Sequence, residues 1–284
     1  MVVALPLFGA FVLGLGTRRW LRRHFNVIFR TQVALGMGVL AVLAGWSFEL
    51  NLRNVGAAGV LLFAQVGAVT LAATLFRARK DGPLLAFCMY GNPTFWSLPV
   101  AAATLGPHAG VFIVAYDMLT QPRIAIGVKL LRSRAPTTPS ARSALADYAP
   151  TVGAVSGLLL GRVLDAPEAT ATVVTVLGVA MSLVGTLLLG VAWPRDWIGR
   201  SSARLSLRGL ALHLSFVPSV LAIVTLLGMS LPGAAWILAF GPLPVSVVAF
   251  ARLYGYSTRT AATAFALSVA VALALLPVAV ALGG

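Results

Sequence analysis

The side chain with the most chemical reach in this sequence is Asp117, in the stretch FIVAYDMLTQPRIAIG, residues 112–127. It is the one acidic residue placed well inside an apolar run. Glu49, Asp81, Asp147, Asp165, Glu168 and Asp196 fall at the ends of such runs or between them. A carboxylate is costly to hold away from water, so one kept there is a candidate functional group. It could exchange a proton, coordinate a cation or pair with a base. Arg123 lies nearly two helical turns on, roughly 9 Å of rise, and would reach Asp117 only if Pro122 bent the helix. The competing reading is a structural hydrogen bond from Asp117 to a neighbouring segment. Gln121 is a polar neighbour in sequence. His213, early in a later apolar run, is either a structural donor or a relay.

Two further stretches interrupt apolar runs in a way that creates polar chemistry. YGNPTFWSLP, Tyr90 to Pro99, holds an asparagine, a glycine and two prolines; FGPLPVSV, Phe240 to Val247, holds Pro242 and Pro244. Proline lacks an N–H and its ring clashes with the preceding turn. A break therefore frees backbone carbonyls, and the half-helix after it exposes N–H groups. Within a membrane these are tolerated only inside protein or beside a water-filled cavity. Exposed N–H groups at a half-helix start attract an anion. Freed carbonyls attract a cation or a donor. Pro99 is expected to make the first break, with Asn92 as the nearby polar side chain. Ser97 and Ser246 are small and polar, and either bond their own helix or line a site. Asn92 also has a bland alternative, a helix cap or interhelical hydrogen bond.

The elements that must hold these residues are membrane helices. The 284-residue chain is 59% hydrophobic and 10% charged, with mean hydropathy +0.95. Soluble domains carry about 25% charged residues. At roughly 25–30 residues per span and loop, the length accommodates about ten spans. Apolar runs place them at Val2–Gly16, Val27–Trp46, Val55–Phe76, Pro83–Leu105 and Gly110–Leu131, then Tyr148–Leu164, Ala169–Trp193, Leu205–Gly228, Leu231–Phe250 and Thr260–Leu282. The first run is followed by TRRWLRRHF and not by a small-residue cleavage site, so it reads as a span. Cys88 is the single cysteine, which excludes an intramolecular disulfide and a Cys-based metal site.

The +14 net charge is arranged by loop. All but two of the 21 Lys and Arg residues follow odd-numbered spans or stand at their ends; Arg53 and Arg162 are the exceptions. Basic loops stay cytoplasmic, so both termini are expected outside. The charge then sets topology and touches anionic lipid, and nucleic-acid binding is not implied. Residues 1–132 and 147–284 would form two five-span halves of opposite orientation, joined by a cytoplasmic linker at 133–146. The two disrupted spans, the fourth and the ninth, occupy matching places. That is the pattern of an inverted-repeat transporter.

The run GNPTFWSLPVAAATLGPHAGVFIVAYDMLTQPRIAIGV resembles the auxin efflux carrier family of permeases, in particular its bacterial members. Gly91, Asn92, Leu98, Pro99, Leu105, Gly106, Tyr116, Asp117 and Gly127 follow the family pattern in order. Pro150, Gly157, Gly190 and Pro218 fit the second half, as does the ending from Gly241 to Leu282. The resemblance implies ten spans in two inverted repeats, a scaffold part and a transport part, and fourth and ninth spans that cross at their prolines. That fold is shared with the bile-acid sodium symporters. It also implies gradient-driven transport of small organic anions. The chain departs from the family at Pro93-Thr94, Ser97, Thr120-Gln121-Pro122 and Ser246, which puts substrate and coupling in question.

The expectation is an all-α polytopic protein of the cell membrane, moving a small organic anion or weak acid by alternating access. Asn92, Thr94, Ser97, Pro99, Pro242, Pro244 and Ser246 would line the substrate site, and Asp117 would carry a coupling proton, with Gln121 and His213 as polar neighbours. No metal or cofactor is called for; the partners are the substrate and the lipid bilayer, and a homodimer is compatible. Sodium coupling and a non-transporting sensor or scaffold are the alternatives. An enzyme is not expected. Ser156 and His213 faintly resemble a rhomboid-type dyad, but the chain has no His-Glu-x-x-His, Gly-x-Ser-x-Gly or Walker motif.

Overall fold

The computed structural model describes residues 4–120, 127, 129–133, 149–194 and 200–283. They are helical, with no strand among them. In chain order the helices are α1 (Ala4–Thr31), α2 (Gly38–Trp46), α3 (Leu52–Leu75), α4 (Gly82–Cys88), α5 (Leu98–Leu105) and α6 (Pro107–Leu119). Then come α7 (Ala149–Leu160), α8 (Thr170–Ala192), α9 (Arg200–Leu226), α10 (Gly233–Ala239), α11 (Ser246–Tyr254) and α12 (Thr258–Gly283). Wider π-helical turns occupy Gln32–Met37 and Pro93–Ser97. Five stretches are long and apolar enough to cross a bilayer: Val27–Trp46, Leu52–Leu75, Thr170–Ala192, Ala203–Leu226 and Thr258–Gly283. Together with the composition, they make this a helical membrane protein.

Three boundaries differ from the sequence expectation. The basic stretch between the first two expected spans stays helical within α1. Arginine is a good helix former, and residues 17–31 contain neither glycine nor proline to stop the turn. Helix α6 ends at Leu119 instead of running on, with Pro122 close behind in sequence. The break in the fourth span falls at residues 89–92 and not at Pro99. Gly91 makes it, at φ +70°, a left-handed conformation that a side chain resists. Pro99 is the second residue of α5, where proline is tolerated. The ninth span breaks over residues 240–245, which hold Gly241, Pro242 and Pro244.

The chain forms two compact units, each drawing on both sequence halves. The first comprises Met1–Leu50, Pro93–Pro122 and Ser140–Ala192; the second comprises Asn51–Asn92, Arg123–Pro139 and Trp193–Gly284. The chain passes from one to the other between Asn92 and Pro93, at the break itself.

In the first unit, bare glycines let helix backbones touch. Gly153, Gly157 and Gly161 recur every four residues along α7 and the turn after it. They face the carbonyls of Gly38, Val42 and Trp46 on α2. Gly14 of α1 and Gly190 of α8 meet face to face. Without a hydrophobic drive between helices in lipid, such close backbone packing is a main source of helix association. The indole N–H of Trp46 donates to the Leu164 carbonyl at 2.8 Å, tying the end of α2 to the turn after α7.

In the second unit, the connections are tied by polar contacts. Asp81, before α4, accepts from the Ser257 N–H at 3.3 Å and the Thr260 hydroxyl at 3.0 Å. It thereby caps the start of α12 together with the Ser257 hydroxyl, which accepts from the Thr260 N–H at 3.1 Å. The Tyr256 hydroxyl donates to the Leu131 carbonyl at 2.7 Å, and Arg132 donates to the Tyr254 hydroxyl at 3.3 Å. The connections after the expected third, fifth and ninth spans thus lie together. Arg53, from an even connection, donates instead to the Leu231 carbonyl in another, at 3.2 Å.

Gly157→Val would press a branched side chain onto the Val42 carbonyl and lower stability in detergent by about 1–3 kcal/mol. Gly59→Ala, where nothing lies within 4 Å of the added carbon, would stay within about 0.5 kcal/mol of the parent. Unfolding of both variants in the same detergent checks the pair.

Candidate functional site

The first unit gathers a buried polar centre around the π-helical turn Pro93–Ser97. The turn lies on a groove of small residues along α8: Gly178, Ser182 and Gly185 share one face at spacings of four and three. Leu98 covers Gly178, so closely that an added β-carbon there would sit 2.5 Å from its Cδ1. The Phe95 ring covers Gly185, 2.6 Å from where a β-carbon would stand. Between them, the Ser182 hydroxyl shares its one proton between its own Gly178 carbonyl at 2.7 Å and the Thr94 carbonyl at 3.1 Å.

Register explains why that carbonyl needs an outside donor. In a π-helical turn, each N–H bonds the carbonyl five residues back. The residue five beyond Thr94 is Pro99, which has no N–H to offer. Pro99 therefore frees the Thr94 carbonyl, and Ser182 takes it.

The Thr94 side chain points the other way, and its hydroxyl donates to Asp117 Oδ2 on α6 at 2.5 Å. Thr94 is fully buried and Asp117 is 6% exposed. One turn along α6, the Thr120 hydroxyl bonds back to the Tyr116 carbonyl at 2.5 Å. Ser97 is buried at the end of the same π turn. The structural reading of Asp117, a hydrogen bond to the broken segment, is seen in the Thr94 contact, which ties the carboxylate to the π-helical turn just after the break.

The second unit holds the other polar elements. Gly91 is set against the Gln65 amide of α3 and the His213 imidazole of α9. A β-carbon on it would be 3.6 Å from Gln65 Nε2 and 3.9 Å from His213 Cε1. The buried Asn92 follows directly. His213 is fully buried, and its ring lies against the backbone of Met89 and Gly241, where α4 and α10 have just ended. Neither ring nitrogen reaches hydrogen-bond geometry with them. In the second break, Leu243 stands between Pro242 and Pro244 and its N–H donates to the Ser268 hydroxyl of α12 at 3.0 Å. Pro242 and Pro244 are buried; Ser246 opens α11 and is half-buried. The two broken segments meet within this unit, where Phe87 of α4 packs edge-on to Phe250 of α11 with centroids 5.0 Å apart.

Of the residues singled out from sequence, Thr94, Ser97 and Asp117 share one centre, with Pro99 acting on its backbone. Asn92 and His213 stand in the other unit, as do Pro242, Pro244 and Ser246. Gln121 lies outside the described residues. Four polar partners were not foreseen: Gln32, Gln65, Ser182 and Ser268. Gln32 and Gln65 had a signal, since an amide inside an apolar run needs a reason. The serines had little, because a serine in a membrane helix commonly bonds its own backbone.

Thr94→Val would leave the buried carboxylate without its hydroxyl donor and cost about 1–3 kcal/mol. Thr94→Ser would recover most of it. Chemical unfolding of the two variants separates hydroxyl from methyl. Against known proteins, no family model matches this chain, and no curated protein matches it.

Proposed function

We propose that this protein is a secondary transporter that moves a small organic anion, together with a proton, across the cell membrane. The observation that carries the reading is the Thr94–Asp117 pair, a buried carboxylate bonded to a non-α turn of a broken helix. The segment that starts at Pro93 sets a helix start beside the break. A helix start favours a carboxylate. An ionised Asp117 nearby repels that carboxylate; a protonated one does not. Anion and proton therefore bind best together, and each raises the affinity for the other by the same factor. A proton gradient then drives the anion.

The resemblance to auxin efflux carriers supports the same reading, through Gly91, Asn92, Pro99, Tyr116 and Asp117. So does the presence of a second broken segment at the matching place in the other half, and the interleaving of both halves in each unit. In this reading the two broken spans belong to two inverted repeats, while the unbroken helix from Ala4 to Trp46 leaves no turn at which the first two of the ten expected spans could reverse direction. The basic connections after the third, fifth and ninth expected spans face the cytoplasm and the C-terminus faces outward. The grouping of connections after the third, fifth and ninth spans, apart from Arg53 and Leu231, fits that arrangement. A second reading, sodium coupling, is favoured by the oxygen donors Thr94 Oγ1 and Asp117 Oδ2, since hard cations take oxygen ligands.

In proteoliposomes, uptake of a panel of small carboxylates should follow an imposed pH gradient. Asp117→Asn should abolish gradient-driven uptake, about a hundredfold loss or more, while leaving the protein folded. Sodium-driven uptake at clamped pH would transfer the coupling role to sodium, and no flux or binding of any carboxylate would remove the organic-anion reading. Topology is open to a separate check in a Cys88→Ala background. A cysteine at Leu50 should react with a membrane-impermeant maleimide in intact cells, and one at Arg79 should not.

A further inference from the structure

The basic stretch of α1 has no part in the buried polar centre. From Arg18 to Arg30 the helix carries five arginines, and the chain has no acidic residue before Glu49. Burial fixes how this part of α1 is turned. Gly14 lies against the backbone of Leu187 and Gly190 on α8. Leu21 and Phe25 continue the same buried stripe, at spacings of seven and four. Arg19 and Arg23, one turn apart, stand on the opposite face and are exposed. Trp20 stands beside them, 70% exposed, with its ring centroid 6.0 Å from that of His24. Arg22 is exposed at the edge of the same face.

Charge and depth together say what covers this face. Like charges three and four residues apart on a helix repel one another, and Arg19 meets Arg22 and Arg23 at those spacings. Helix α1 has no acidic residue of its own, so an anion from outside is what relieves the repulsion. The candidate membrane span in the same helical run starts at Val27. At the rise of an α-helix, Arg19 to Arg23 lie about 6–12 Å before that residue. That is the depth of the headgroup layer beyond the hydrocarbon edge. Tryptophan is enriched at that level, where its ring meets chains and its N–H meets water. A basic cluster next to a span is drawn to anionic lipid, and the planar guanidinium matches phosphate geometry.

We propose that the face of α1 formed by Arg19, Trp20, Arg22 and Arg23 is a docking surface for anionic phospholipid. The guanidiniums hold headgroup phosphates, and the indole lies against the upper part of the acyl chains. This assigns to one helix face a contact that net charge alone would spread over every basic connection. It is independent of the transport reading.

The test places the full-length protein in phosphatidylcholine nanodiscs that contain a small fraction of lipid brominated in its acyl chains, with either a phosphatidylglycerol or a phosphatidylcholine headgroup. Bromine quenches the tryptophans it touches, and the difference between wild type and Trp20→Phe isolates the share of Trp20. Quenching of Trp20 by the glycerol lipid should exceed that by the choline lipid by about fivefold or more, the enrichment that even one arginine near an anionic lipid gives. The excess should shrink as salt is raised from about 0.1 M to about 1 M. Joint Arg19→Gln, Arg22→Gln and Arg23→Gln should remove the excess and leave quenching by the choline lipid unchanged; Arg23→Gln alone should reduce it. Joint Arg77→Gln, Arg79→Gln and Lys80→Gln, at another basic connection, should leave it in place. Equal quenching by the two lipids in the wild-type protein overturns the proposal, whichever variants fold. So does an excess that survives in the folded α1 variants, or one that the substitutions at 77–80 abolish. Loss of the excess on adding soluble polyglutamate at matched charge would give the face to an acidic protein instead, and overturns it as well.

Discussion

Where a helix breaks in an apolar medium, its backbone N–H and carbonyl groups have no water to turn to, and something in the protein must meet them. Each unit answers with a serine hydroxyl from a long neighbouring helix. Ser182 of α8 donates to the Thr94 carbonyl that Pro99 leaves without a partner. Ser268 of α12 accepts from the Leu243 N–H held between two prolines. A hydroxyl is suited to both tasks because it can donate and accept. The breaks are therefore tolerated because of residues far away in sequence, 88 positions in one case and 25 in the other.

This constraint shapes the packing around it. For Ser182 to reach a backbone carbonyl, the π turn must lie close on α8, so the flanking positions must be small. Gly178 and Gly185 supply that, and Leu98 and Phe95 fill the space above them. The same economy of size holds α2 to α7, where glycine spacing brings backbone onto backbone. Large residues then face outward: Phe8, Leu52, Phe63 and Leu226 are all well exposed, as suits a lipid-facing surface. Within this packing a carboxylate is held against a turn whose hydrogen-bond register is already unusual.

Much of this was legible along the chain. Composition and the alternation of apolar runs with basic connections announced membrane helices. Asp117 stood out as an acid inside an apolar run. Proline content located both interrupted segments within a few residues. What misled was attributing the first break to Pro99. A proline early in a helix is easily accommodated, whereas Gly91 at positive φ turns the chain outright. Proline at position 99 acts instead on hydrogen-bond register, an effect visible only once the preceding turn is known to be π-helical. The continuity of α1 through its arginines was missed for a related reason. Hydropathy registers where a helix leaves an apolar environment, and it does not register whether the helix stops.

Taken alone, the sequence determined that this is a helical membrane protein, that its cations cluster between apolar runs, and that two of its apolar segments concentrate the residues that interrupt helices. Those properties follow from hydrophobicity and from the covalent limits of proline and glycine, which hold wherever the residues end up. Only the tertiary structure decided that Asp117 bonds Thr94, that Ser182 and Ser268 serve the two breaks, and that Gln32 donates to the Met181 carbonyl of α8. Hydrogen bonds are short and directional, so which polar groups meet depends on how helices distant in sequence are rotated and stacked. That arrangement is set by the glycine faces on which they pack.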